Sequence, residues 1–165
     1  MIAVSNTTPL RYLLAIGQAR LFSQLFTKVL VPSAVFEELT AGGTPGDVRR
    51  QVLASPVWWE VRSARATDPE LLTVSLHRGE REAILLAEEL RPDVLLIDEQ
   101  IGRTLAMSRN LPLSGTLGVL ERADSLGLVL DFPQILEDLK LGGFFVSETL
   151  KQTLLQRHRL RQPIP

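Results

Sequence analysis

Cysteine is absent from the 165-residue chain, which excludes disulfides, a thiolate nucleophile and cysteine-ligated zinc or iron–sulfur chemistry. Histidine is almost as scarce. His77 and His158 are the only imidazoles, which argues against a histidine-rich metal site and leaves oxygen ligands for any bound ion. Long hydrophobic runs are missing, and the first residues lack the basic segment and apolar stretch of a secretion signal, so a soluble, cytoplasmic protein without a membrane span is expected. Neither sign of charge dominates. A formal net charge of −1 lacks the electrostatic footprint of a protein that grips nucleic acid through its overall charge, and leaves only a local basic patch for that purpose. No glycine-rich loop follows the first apolar run, which argues against a nucleotide-binding protein. A receiver-like signalling domain requires an acidic pair after the first strand and a lysine after a late one, and neither is present.

What is present is ordinary globular composition, 45% hydrophobic and 22% charged, enough to build a core without assistance. There is no internal repeat, low-complexity tract or linker. The chain reads as a single domain over 1–150, with 151–165 as a helix end and basic tail whose cations suit the helix dipole. Short apolar runs, "IAVS", "KVLVP" closed by its proline, and "DVLLID", predict buried strands, "VWWEVRSA" alternates weakly and reads as another, and "LPLSG" is a short final one. Helical spacing recurs between them. "PLRYLLAIGQARLFSQLF" predicts two helices broken near Gly17, with Thr8 as N-cap before Pro9. "SAVFEELTAG" is opened by Ser33, "EREAILLAEEL" follows a long connection, "EQIGRTLAMSRN" ends on Asn110, and "TLGVLERADSLG" runs from a Thr116 cap to Gly127. Two further helices, "DFPQILEDLK" and "SETLKQTLLQRH", finish the chain. Alternating strands and helices predict a three-layer α/β/α sandwich on a mostly parallel sheet, with extra C-terminal helices. Right-handed crossovers then bring the carboxyl ends of the strands to one edge, where ligands of such sheets bind.

Asn6 closes the first strand and Asp98 the fourth, each with an oxygen-bearing side chain, and Glu99 follows. Glu38 lies beside the apolar stripe formed by Val35 and Leu39, while Glu37 points outward. Glu80 and Glu82 fall in a first helical turn, where the dipole favours acids in any protein. Singly, each has an ordinary explanation as a helix cap or surface charge. As a set, these acids suit a hard divalent ion such as Mg²⁺ or Mn²⁺, which takes a few carboxylates and completes its shell with water.

The segments "VSNTTPL", "VPSAVFEEL", "GEREAILLA", "LLIDEQIGRTLA" and "GTLGVLERADSLGL", in this order and at these intervals, resemble the PIN domain in a compact prokaryotic branch. The resemblance runs from Val4 to about Leu150 and implies a metal-dependent ribonuclease acting on RNA, many relatives being VapC-like toxins neutralised by an antitoxin protein. It places the site acids at Asn6, Glu38, Glu82 and Asp98, with Glu80 as an alternative to Glu82 and Glu99 assisting Asp98. Thr7 or Thr8 corresponds to the hydroxyl residue that often accompanies the first position. Relatives open their acidic set with aspartate, and here asparagine offers a carbonyl oxygen but no charge. Arg103 is a phosphate-binding candidate, the alternative being an ion pair with Glu99 one turn earlier. Two activities remain open: a Mg²⁺- or Mn²⁺-dependent ribonuclease, or a PIN-like RNA- or protein-binding module with a defective metal site. Leu150, Leu154 and Leu155 supply either a homodimer surface or core.

Overall fold

The computed structural model describes residues 1–161. Its elements run β1 (Ile2–Ser5), α1 (Thr7–Ala15), α2 (Arg20–Leu25), β2 (Lys28–Val31), α3 (Ser33–Thr40), α4 (Gly46–Leu53), β3 (Trp59–Val61) and α5 (Pro69–Thr73). After these come α6 (Arg78–Leu90), β4 (Val94–Leu96), α7 (Gln100–Ser108), β5 (Leu113–Ser114), α8 (Thr116–Ser125), α9 (Phe132–Leu141) and α10 (Glu148–Arg161). The strands form one sheet in the order β3-β2-β1-β4-β5 with every pairing parallel. The chain thus builds outward from β1 to β3, then returns to the other side of β1 for β4 and β5. The switch point of this doubly wound order lies between β1 and β4.

Both sheet faces are buried, which is why the strands read as unbroken apolar runs. Strand alternation sends Ala3, Val29, Val31 and Leu96 to one face, under α1, α2, α3, α8 and α9. Val4, Leu30, Leu95 and Ile97 face the other way, against α6 and parts of α5 and α7. The arrangement is the expected α/β/α sandwich. On the second face α6 presents Ala83, Ile84, Leu86 and Ala87 at helical spacing, and its end turns at Arg91, a left-handed residue with φ of 47°.

Several helix starts differ from the sequence reading. The first helix begins two residues early, so Asn6 is its N-cap residue and Thr8 lies inside the first turn. Thr116 is likewise the first helical residue of α8, after Gly115, and its groups bind Asp98. The Ser33 hydroxyl bonds Ser63 at 2.6 Å, and the free N–H of Ala34 at the start of α3 goes to Glu82 at 2.9 Å. In each case a tertiary partner displaced the local cap that propensity favours. Asn110, just after α7, has φ of 55° and Gly127, after α8, has φ of 68°, as their roles in ending helices require.

The long connection before α6 contains α5, capped by Asp68 through the Glu70 N–H at 2.9 Å. Mostly buried Arg109 ties it down, reaching Asp68 at 2.7 Å and Glu88 at 2.9 Å. This anchor helps fix the segment that delivers residues 77–80 to the sheet edge. At the other end, α10 passes through position 150 without a break, burying Leu154 and packing Leu155 against the core, while Leu150 stays partly exposed. The last four residues of the basic tail, 162–165, lie outside the described residues.

Phe22 is fully buried and stacks on Trp58 with ring centroids 4.8 Å apart. Phe22→Ala is expected to destabilise the fold by about 3–5 kcal/mol, as truncation of a core aromatic does. Urea unfolding followed by tryptophan fluorescence measures it.

Candidate active site

Only Asn6 separates β1 from α1, and its backbone N–H donates to the Leu96 carbonyl at the end of β4 at 2.9 Å. That bond holds the first turn of α1 against the turn leaving β4. Buried Asn6 then donates through Nδ2 to Glu99 Oε2 at 2.9 Å, and the Thr8 hydroxyl donates to the other oxygen of Glu99. Its neighbour Thr7 donates its hydroxyl to Glu38 Oε2, while the Gly79 N–H reaches Glu38 Oε1 at 3.2 Å. Glu80 folds back on the start of α6, its Oε2 accepting the His77 N–H at 2.9 Å. Together with His77 these side chains line a cavity of about 210 Å³ at the carboxyl ends of β1 and β4.

Two glycines make room for the acids. A Cβ at Gly79 would stand 2.8 Å from Glu38 Oε1, and one at Gly102 would stand 3.0 Å from Glu80 Oε1 and 2.5 Å from Ile97 Cδ1. Helical glycine costs roughly 1 kcal/mol relative to alanine. Close approach of the Glu38 carboxylate explains Gly79, and Ile97 together with the Glu80 carboxylate explains Gly102.

Electrostatically the pocket is one-sided. None of its lining residues is Lys or Arg. Glu80 is buried, and its carboxyl lies above the usual glutamate range, first because burial disfavours the charged form and then because Glu99 and Glu38 repel it; the His77 N–H opposes the shift. Nearby Arg78 is occupied outside the pocket by Glu37 at 2.6 Å and Glu82 at 3.0 Å.

Of the residues picked from the sequence, Asn6, Thr7, Thr8, Glu38, Glu80 and Glu99 meet in this cavity, and Glu82, Asp98 and Arg103 do not line it. Glu82 lies two residues along α6 from Glu80, on another side of the helix, where Oε2 caps α3 and Oε1 pairs with Arg78. Asp98 faces away from Asn6, accepting the Thr116 N–H at 2.8 Å and the Thr116 hydroxyl at 2.6 Å. Its carboxyl is also raised, mainly by burial. Arg103 donates to the Ile97 carbonyl at 2.9 Å and lines a second cavity with Asp98, so the expected pair with Glu99 does not form. His77 is the pocket residue that the sequence reading overlooked. The spacing "HRGE" carries the signal: a glutamate three residues after a helix cap turns its carboxylate back to the helix start, which also favours Glu80 over Glu82.

The donor set, three carboxylates and an amide carbonyl with no compensating cation in the lining, matches the oxygen chemistry of a hard divalent ion. As the side chains stand, no group of three or more among the described residues is gathered to hold an ion. Each carboxylate is turned to a hydroxyl, amide or backbone N–H instead. Shared coordination therefore requires these side chains to rotate away from those partners.

These features define an α/β/α protein with an acidic pocket at the switch point of its parallel sheet. The chain belongs to the PIN domain family, matching the branch designated DUF3368 over residues 2–159. PIN domains are associated with nuclease activity and typically bind divalent metals. No curated protein matches the sequence.

The raised Glu80 carboxyl has a measurable consequence. An acid whose pKa is higher folded than unfolded binds more protons in the folded state, so stability falls as pH rises from the ordinary glutamate range through the raised value. Without metal, Glu80→Gln should melt at or above the wild-type temperature at neutral pH. That advantage should shrink as the pH is lowered into the range where wild-type Glu80 is protonated, as thermal denaturation across pH will record.

Proposed function

We propose that the chain is a Mg²⁺- or Mn²⁺-dependent ribonuclease whose site is the pocket of Asn6, Glu38, Glu80 and Glu99. The observation that supports this most is the meeting of carboxylates from three distant segments in one cation-free cavity at the switch point. Charges crowded in this way cost stability unless a ligand compensates them. Glu38, Glu80 and Glu99 would hold the metal, with the Asn6 carbonyl oxygen as a neutral contributor. When bound, such an ion supplies a nucleophilic hydroxide and offsets charge on a phosphodiester undergoing hydrolysis. The chain's own part is orientation: Thr7 and the Gly79 N–H aim Glu38, Thr8 and Asn6 aim Glu99, and the His77 N–H aims Glu80. Family membership supports a further assignment, the toxin of a toxin–antitoxin pair with an antitoxin protein as its inhibitor.

One observation favours a second reading, a metal-poor binding module. The Asn6 amide satisfies Glu99 by donating a hydrogen bond, which an ionised aspartate at that position is unable to do.

Purified protein should cleave single-stranded RNA with Mn²⁺, and EDTA should abolish the cleavage. Glu80→Gln and Glu99→Gln are each expected to lower the rate by about 100-fold or more, the upper end of what is lost when a residue that only orients a metal ligand is replaced. Glu82→Gln should retain most activity, its effect being confined to stability through the lost Arg78 ion pair and a weakened cap on α3. Equal loss in Glu82→Gln and Glu80→Gln would contradict the site as drawn.

Replacing the neutral ligand provides a second check. Asn6→Asp should tighten Mn²⁺ binding by about tenfold, by restoring a charged ligand, and isothermal titration calorimetry reads the change. An unaltered affinity would mean that position 6 does not touch the ion.

A further inference from the structure

The geometry points to a nucleotide-binding subsite in the second cavity, where Phe145 stacks a base of single-stranded RNA and Arg103 holds a phosphate. The inference rests on the phosphodiester reading of the acidic pocket. This cavity, of about 410 Å³, is bounded by β5, α8 and the connection from α9 to α10, and its size falls within the roughly 300–1,000 Å³ range of ligand pockets. Asp98 lines it while Glu99 lines the acidic pocket. Consecutive residues thus contribute one side chain to each cavity, which sets the second beside the first, where nucleotides flanking the scissile bond would lie.

Phe145 carries the argument. Its exposure is 85%, whereas Phe144 beside it packs edge-on against Tyr12 at 5.1 Å. The chain turns into this pair at Gly143, with φ of 94°. One phenylalanine anchors the connection and the next is displayed beside the cavity, the arrangement of a stacking platform for single-stranded nucleic acid. Arg103 adds charge. Its Nη1 donates to the Ile97 carbonyl at 2.9 Å, and among the described residues no carboxylate lies within ion-pair distance of it. The remaining N–H groups of its guanidinium suit a phosphate oxygen. Arg157, by contrast, is engaged by Glu121 at 3.1 Å.

Gly115 contributes to the lining without a side chain of its own. A Cβ at Gly115 would lie 2.5 Å from Asp98 Oδ1 and 3.3 Å from Arg103 Nη1, so glycine lets both side chains lie flat there. The Asp98 carboxylate, already accepting two bonds from Thr116, retains lone pairs for an exocyclic amine of a base. A guanidinium with no ion pair among the described residues, a half-buried carboxylate and nearness to the acidic pocket favour a nucleotide over an apolar protein segment.

The test is fluorescence anisotropy with a short fluorescein-labelled single-stranded oligoribonucleotide, in EDTA and at low salt so that no cleavage intervenes. Phe145→Ala, an exposed change that leaves the core intact, should weaken binding by about tenfold. Phe145→Trp should preserve binding, and the ligand should quench the new tryptophan. Arg103→Gln should weaken binding and flatten its salt dependence. Wild-type affinity in both Phe145→Ala and Arg103→Gln would overturn the proposal, as would no measurable binding by the wild type. Unchanged RNA affinity with a Phe145-dependent shift in oligomeric state, read by size-exclusion chromatography with light scattering, would also overturn it and mark the patch as a protein interface. Phe145-dependent binding by a wild type that fails to cleave RNA with Mn²⁺ supports the subsite while removing the nuclease reading.

Discussion

The parallel pairing of β1 with β4 is the constraint on which the remainder depends. It aligns Ser5 with Leu96 and lets the Asn6 N–H close on the Leu96 carbonyl, so that Asn6 and Glu99, 93 residues apart in sequence, come into side-chain hydrogen-bond contact. Because β1 also pairs with β2, the helix that follows β2 starts at the same edge and carries Glu38 inward. Helix α6 lies across from α3, and its first turn completes the pocket with Glu80. Without the β1–β4 ladder these groups would be unremarkable helix-end acids.

The pocket is held by donors that carry no full charge. Hydroxyls, an amide and backbone N–H groups satisfy its carboxylates, while Arg78 at the start of α6 is committed outside it to Glu37 and Glu82. Hydrogen bonding meets the geometric needs of the acids and leaves their charge in place. A folded protein that only required stability would pair these acids or replace them, since a buried acid with neighbouring like charges is a standing cost. Retaining such a cluster at a sheet switch point is the trade that functional sites make.

The choices within two pairs of acids, Glu80 or Glu82 and Asp98 or Glu99, illustrate where sequence reasoning succeeds and where it stops. That acids cluster near positions 80 and 98 was legible from "RGERE" following a glycine and "LLIDE" closing an apolar strand. Which member of each pair enters the pocket was harder, because consecutive residues leaving a strand point to different sides and the sequence does not say which neighbour lies on each side. Glu99 turns toward β1 and Asp98 toward α8. On α6, Glu80 sits at the position where a capping glutamate folds back, whereas Glu82 faces α3 and caps it. The helix caps went astray for the same reason: Ser33 and Thr116 have the right chemistry, but partners distant in sequence compete for the same groups.

Local information was sufficient for the strands, most of the helices and the layered architecture, because strand runs buried on both faces and amphipathic helices write their environment into their own periodicity. The lack of cysteine and the shortage of histidine also narrowed any metal chemistry to oxygen ligands before a single contact was known. Strand order, the entry of Glu80 and Glu99 rather than Glu82 and Asp98 into the cavity beside Asn6, and the adjoining Phe145 cavity belong to the tertiary structure alone. They follow from which strands lie side by side, and that is decided by the packing of the whole chain on two sheet faces, a sum of long-range contacts that no short window of residues contains.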